Sequence, residues 1–269
     1  MSRGLDCPAV ESRYETPGPE RPGMVARNLP SLAYYPRMLR IVYEASKRSL
    51  KDEYGDEAWC QGCWQMIRLI ERLGGCVIAE GVEHVRGLDR PCVFIGNHMS
   101  TLETFVLPAF ILPYRRVTFV VKKSLVEYPV FKHVMRTREP VVVTREDPKA
   151  DFRAVMEAGQ ERLGRGYCMV VFPQHTRQVR FEPEQFNTIG VKLARRAKAP
   201  VVPLALKTNA WENGRLIKDF GPFRPGRPVR FAFGEPMEVT GTGHKEHGEV
   251  ISFIQGKLAG WREEDGPAG

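Results

Sequence analysis

The sequence predicts an α/β fold: a mostly parallel sheet covered by helices, preceded by an N-terminal amphipathic helical pair. Three observations predict it. From about residue 76 onward, short apolar runs alternate with helix-length stretches, as in strand–helix–strand units. Between about 33 and 75 the apolar residues recur at helical spacing instead. The chain has 269 residues, 42% of them hydrophobic, enough for one large domain with a substantial core plus a smaller appendage.

In chain order, residues 1–30 hold five prolines, several charges and little periodicity, so a poorly ordered tail is expected there. Residues 31–75 carry two amphipathic helices. In the first, Tyr35, Met38, Leu39 and Val42 share a face flanked by Arg37, Arg40, Lys47 and Arg48. In the second, Trp59, Cys63, Met66, Ile67, Ile70 and Leu73 keep one register until Gly74-Gly75 ends it. The pair can cover the core of the body. Aromatic residues beside basic ones also suit a helix lying in a headgroup layer.

Residues 76–260 form the expected main domain. Its strands are "CVIAEG", "PCVFIGN", "VTFVV", "PVVVT", "YCMVVFP", "PVVPLAL" and "VRFAFGE". Helices are expected at 103–111, 125–135, 148–163 and 187–198, the third with Pro148 in its first turn. A short polar tail, 261–269, closes the chain.

Forty Lys and Arg against 32 Asp and Glu give a formal charge of +8. That excess favours anionic partners, among them an anionic membrane surface, an acidic carrier protein or nucleic acid. The charges are dispersed and no DNA- or RNA-binding motif is present, which sets nucleic acid aside. The six cysteines come with no secretory signal, so reduced thiols in a cytoplasmic setting are expected. Cys60 and Cys63 form a CxxC without a second pair, which suits one turn of a packed helix better than a metal site. His244 and His247 lack an evident third ligand and suit a solvated loop; no metal is called for. No apolar run reaches the ~18 residues of a spanning helix. There is no G-x-S-x-G elbow, phosphate-binding Walker loop or dinucleotide fingerprint.

Chemistry concentrates in "NHMSTLE". His98 follows a strand, and Ser100-Thr101-Leu102-Glu103 fits a helix capping box, which alone would explain Glu103. If His98 sits in the loop just before the helix, the same carboxylate can instead hold one ring nitrogen and leave the other as a base. The spacing leaves both uses open. "VVFPQHTRQ" follows a second strand and "PVVPLAL" forms a third. Arg177, Arg145 and Lys122 are ordinary surface charges taken singly, but all lie at strand ends, where ligands of parallel sheets bind.

Together these blocks resemble the glycerolipid acyltransferase family, whose best-known member is bacterial 1-acyl-glycerol-3-phosphate acyltransferase. The resemblance spans roughly residues 95–236. The family's N-H-x-S-x-x-D falls on Asn97, His98, Ser100 and Glu103, with glutamate for aspartate, an HX4E motif. Its lysine and arginine block looks like Lys122 and Arg145. Its F-P-E-G-T-R is matched at Phe172, Pro173, Thr176 and Arg177 and departs at Gln174 and His175. "VVPLAL" and "FGEPM" look like its closing strands.

The resemblance implies an O-acyltransferase that moves a fatty acyl group from an acyl thioester to the hydroxyl of a lysophospholipid or related glycerol lipid. His98 would be the base and Glu103 its partner. Arg177, Thr176, Arg145 and Lys122 would bind the acceptor phosphate. The donor would be acyl-CoA or acyl carrier protein, with no cofactor, and attachment would be peripheral or monotopic on the cytoplasmic side of a membrane. Two alternatives remain: an acyl-thioesterase using the same His-Glu pair, and a non-catalytic lipid-binding protein.

Overall fold

The seven apolar runs all become strands, because each is short and predominantly apolar, and most are buried on both faces. The computed structural model describes residues 2–18, 22–129, 131–174 and 176–266. Its strands are β1 (Tyr14–Glu15), β2 (Val77–Glu80), β3 (Val93–Gly96), β4 (Arg116–Lys122), β5 (Val141–Val143), β6 (Tyr167–Val171), β7 (Val201–Lys207) and β8 (Val229–Phe233). They form one eight-stranded sheet in the order β1-β2-β8-β7-β3-β6-β4-β5. Pairing is parallel except β1 with β2 and β7 with β8. The fold class is the one the alternation predicts.

The helices are α1 (Met24–Asn28), α2 (Pro30–Ser49), α3 (Asp56–Arg72), α4 (Val82–Arg86), α5 (Leu102–Val106), α6 (Pro108–Ile111), α7 (Lys123–Glu127), α8 (Phe131–Thr137), α9 (Pro148–Gly164), α10 (Ile189–Ala197) and α11 (His244–Asp265). Strand alternation divides the core in two. Phe94, Val170 and Leu204 pack with α2, α3, α5 and α6 on one face. Val93, Ile95, Met169 and Val171 pack with α9, α10 and α11 on the other. The stretch expected as one helix over 103–111 is two short ones, because Pro108 has no N–H to continue the first.

Four expectations are corrected. Residues 2–18 are not a loose tail: β1 pairs with the open edge of β2, Tyr14 packs edge-on against Trp64 at 5.1 Å, and Arg3 meets Asp56 at 2.7 Å. An unpaired sheet edge supplies hydrogen-bond partners that composition does not reveal. Cys7 and Cys60 form a disulfide, where reduced thiols were expected, because the docked segment crosses α3 beside Cys60. His244 and His247 begin α11 rather than lying in a loop. That helix runs through Trp261 to Asp265, so 261–265 belong to it and not to a tail. Three glycines dilute its pattern, yet Val250, Ile254, Leu258 and Trp261 form a buried stripe on the second core.

α2 has two apolar faces. Tyr34, Met38, Val42 and Ala45 are buried, with Tyr34 stacked on Phe223 at 4.2 Å. On the opposite side Leu29, Leu32, Leu39, Tyr43 and Leu50 are exposed, in register with one another. Leu39, grouped by spacing with the buried face, belongs to this outer stripe.

Candidate active site

The site begins where β3 ends. A Cβ on Gly96 would lie 2.8 Å from the Leu204 carbonyl, so only glycine lets β3 and β7 approach here. Asn97 is buried and copies a backbone rung: Nδ2 donates to Leu206 O and Oδ1 accepts from Leu206 N, both at 2.8 Å. The chain then leaves the sheet, and His98 stands at the mouth of a cavity of about 470 Å3.

His98 Nδ1 lies 2.6 Å from Glu103 Oε2. Glu103 is fully buried, and its other oxygen, Oε1, accepts from Met99 N at 2.6 Å, Ser100 N at 2.8 Å and Thr208 Oγ1 at 2.7 Å. Three such donors supply the partners that a buried carboxylate needs. Ser100 Oγ accepts from Leu102 N at 3.1 Å and donates toward Thr208. One carboxylate therefore performs both tasks that the spacing left open: one oxygen ties down the helix start, and the other holds the imidazole. With Nδ1 protonated against Glu103, the Nε2 lone pair is left for a substrate proton.

A second loop, after β6, closes on the first. Phe172 stacks on the His98 ring, 4.6 Å between centroids and 3° from parallel. Gln174 Oε1 accepts from His98 N at 2.6 Å, Gln174 Nε2 donates to Gln178 Oε1 at 3.0 Å, and Gln178 N donates to His98 O at 2.9 Å. An amide at 174 keeps an acceptor for the His98 backbone, and its NH2 group also reaches Gln178. His175, the other departure from the motif, lies outside the described residues.

The basic residues expected from the sequence line the same cavity, together with Thr176. Arg177 Nη2 pairs with Asp219 Oδ1 at 2.7 Å, and Nη1 donates to Thr101 Oγ1. Arg145 takes a left-handed backbone, φ 65°, which costs a non-glycine residue on the order of 1 kcal/mol or more. Asp151 holds that turn by accepting from Thr144 N at 2.7 Å and Arg145 N at 2.6 Å. Burial and the nearby Arg177 push the Arg145 guanidinium below its usual value. Lys122 ends β4, exposed at the rim. Thr176 accepts a hydrogen bond from Lys218, whose ammonium is pushed down by burial, then by Arg177 and Arg145.

The rest of the lining is largely apolar, with Phe105, Phe119, Leu125, Phe131, Val134 and Met135, and includes Trp59, Cys63 and Arg138. A cavity lined by a basic cluster and by many apolar side chains suits an anionic amphiphile. Sequence reasoning missed Thr208, Lys218 and Asp219. Thr208 follows directly on the "VVPLAL" strand, but nothing local marks it as a partner of Glu103.

The family model described as "Acyltransferase" matches residues 76–207. The 1-acyl-sn-glycerol-3-phosphate acyltransferase of Pseudomonas aeruginosa is 30% identical over 212 residues, covering 77% of this chain and 74% of that protein. The 1-acyl-sn-glycerol-3-phosphate acyltransferase of Cocos nucifera is 24% identical over 162 residues, 56% of this chain and 51% of that one. The crystal structure of the 1-acyl-sn-glycerophosphate acyltransferase PlsC from Thermotoga maritima matches with a TM-score of 0.64 at 18% identity, over 88% of this chain and 95% of that one. At that identity the likeness concerns the fold.

Proposed function

The chain belongs to the acyltransferase family, and from that premise we propose that it moves a fatty acyl group from an acyl thioester to the hydroxyl of a lysophospholipid bearing a phosphate. The observation that carries the reading is the His98 Nδ1 to Glu103 contact of 2.6 Å at the mouth of an apolar cavity.

His98 Nε2 takes the acceptor's hydroxyl proton as that oxygen attacks the thioester carbonyl. Glu103 keeps the ring oriented and stabilises the imidazolium. The tetrahedral intermediate collapses, the C–S bond breaks, and the thiolate leaves with the proton that His98 carries. Phe172, stacked flat on the ring, restricts its rotation. Arg177, Thr176, Arg145 and Lys122 face the acceptor phosphate, where charge-assisted hydrogen bonds are strongest. The hydrocarbon-lined depth holds an acyl chain. Acyl-CoA and acyl carrier protein are both anionic donors suited to the basic surface.

Attachment to a membrane follows from α2. Among the described residues no helix is long and apolar enough to cross a membrane. The exposed stripe of Leu29, Leu32, Leu39, Tyr43 and Leu50, flanked by exposed Arg37, Arg40, Lys47 and Arg48, suits an interfacial helix on an anionic surface. The chain would lie on the bilayer, with the cavity drawing its acceptor from the headgroup layer.

The deciding experiment offers purified protein acyl-CoA and acyl carrier protein thioester, with and without a panel of lysolipids, and follows thiol release and products by mass spectrometry. Thiol release that requires the lysolipid and yields a diacyl product supports transfer. Release that ignores the acceptor means hydrolysis, and no release with lipid bound means a binding protein.

A further inference from the structure

The hairpin joining β7 to β8 takes no part in the mechanism above, yet it closes the anion end of the cavity. Its stem is the antiparallel bridge between Trp211 and Phe223, with Glu212 N donating to Pro222 O at 3.0 Å and Gly214 N to Lys218 O at 3.1 Å. A Cβ on Gly214 would lie 2.2 Å from Ile217 O, and one on Gly221 2.1 Å from Glu212 O, so no side chain fits at either position. Asn213 Nδ2 donates to Met99 O at 3.1 Å, joining the hairpin to the loop that carries His98.

This tight stem places Asp219 in the cavity wall and Lys218 beside it, against the lining residue Thr176. Asp219 Oδ1 accepts from Arg177 Nη2 at 2.7 Å and from Thr101 Oγ1 at 3.2 Å. Lys218 Nζ donates to Thr176 Oγ1. Among the described residues, Lys218, Arg177 and Arg145 lie near one another, with the carboxylates Asp219 and Asp151 beside them. The hairpin also packs against α2, on the side away from its exposed stripe. Phe220 packs on Tyr35 of α2 at 5.6 Å, Phe223 N donates to Ser31 Oγ at 2.9 Å, and Leu216 and Ile217 stand exposed at the tip.

We propose that Lys218 is a further ligand of the acceptor phosphate beside Arg177 and Thr176, and that Asp219 is a carboxylate place-holder on Arg177 which the phosphate displaces. The inference rests on the phosphate-bearing acceptor proposed above. A phosphate has three outer oxygens and can engage the guanidinium, the hydroxyl and the ammonium together, which one carboxylate cannot. A neutral glycerol lipid has nothing with which to displace Asp219. Lys218 therefore supplies attraction, and Asp219 supplies rejection of acceptors without the charge.

The test uses the full chain with acyl-CoA and two acceptors of the same acyl length, one lysolipid with a phosphomonoester and one neutral monoacylglycerol. Lys218→Gln raises KM for the phosphate acceptor roughly tenfold and leaves kcat unchanged, Lys218→Arg restores most of the loss, and neither alters use of the neutral acceptor. Asp219→Asn lowers KM for the phosphate acceptor and makes inorganic phosphate a stronger competitive inhibitor. An unchanged KM in Lys218→Gln, an equal loss on the neutral acceptor, or weaker phosphate inhibition in Asp219→Asn overturns the proposal. A wild-type protein that releases thiol but acylates neither lipid overturns instead the transfer reaction beneath it.

Discussion

Glu103 gives one carboxylate oxygen to the His98 ring and the other to the chain that carries the ring, at 2.6 Å from His98 Nδ1 and 2.6 Å from Met99 N. Orientation of the His98 ring and local folding therefore share one side chain, and under the proposed mechanism substitutions separate the two. His98→Ala should lower transfer at least about 10³-fold while leaving thermal stability near wild type. Glu103→Gln should lower kcat by roughly 10²–10⁴ and also destabilise by about 1–3 kcal/mol, because an NH2 group then faces either the ring or the backbone donors. Paired kcat and melting measurements check this, and near-normal turnover in His98→Ala would discard the mechanism.

Thr208 tests the buried side of the same carboxylate. Its hydroxyl donates to Glu103 Oε1 at 2.7 Å and lies 3.0 Å from Ser100 Oγ. Thr208→Val keeps the shape and removes both bonds, so a loss of about 1–2 kcal/mol is expected with a smaller fall in kcat than in Glu103→Gln. Urea denaturation alongside steady-state kinetics measures both.

The outer stripe of α2 predicts membrane affinity without a role in folding. Leu32 and Leu39 are exposed on the side of α2 away from its buried face. Leu32→Ser and Leu39→Ser should each weaken binding to anionic vesicles about tenfold, with no change in unfolding midpoint. Co-sedimentation over a salt series reads this, since the flanking arginines and lysines make the residual binding salt-sensitive. Unaltered vesicle binding in the double variant would remove α2 from the membrane contact.

Asp265 predicts an acid limb of stability. Burial raises its pKa, but hydrogen bonds from Lys207 and Arg230 outweigh burial and hold it below the usual carboxylate value. A depressed folded value means the stabilisation is complete above the unfolded pKa near ~3.9 and is lost as pH falls through the folded value. Asp265→Asn should lower stability at neutral pH and flatten the loss below about pH 4. Melting curves from pH 7 to 3 show it, and parallel curves for the two proteins would contradict it.

Much of the fold was legible because burial leaves a local record. Val93–Ile95 and Tyr167–Val171 lie between two helical layers, so they read as unbroken apolar runs. Pro148 and Asp147 mark the start of α9, and Asp147 caps it. α11 was not legible, since its stripe of Val250, Ile254, Leu258 and Trp261 is diluted by glycines and gains meaning only against β7. The N-terminal segment was misread for the same reason. Its strand and its disulfide partner come from an edge and a helix more than fifty residues away.

By itself the sequence determined the seven strands after residue 76, the mostly parallel class, the motif that carries His98 and Glu103, and the basic residues near strand ends. These follow from periodicity and from motifs a few residues long. The tertiary structure alone decided that Thr208 satisfies Glu103, that Phe172 lies flat on His98, and that Asp219 and Lys218 meet Arg177 and Thr176. The physical reason is the order of the sheet. Placing β7 and β6 on either side of β3 brings loops 70 to 120 residues apart onto one cavity, and no local pattern of burial encodes which strand becomes which neighbour.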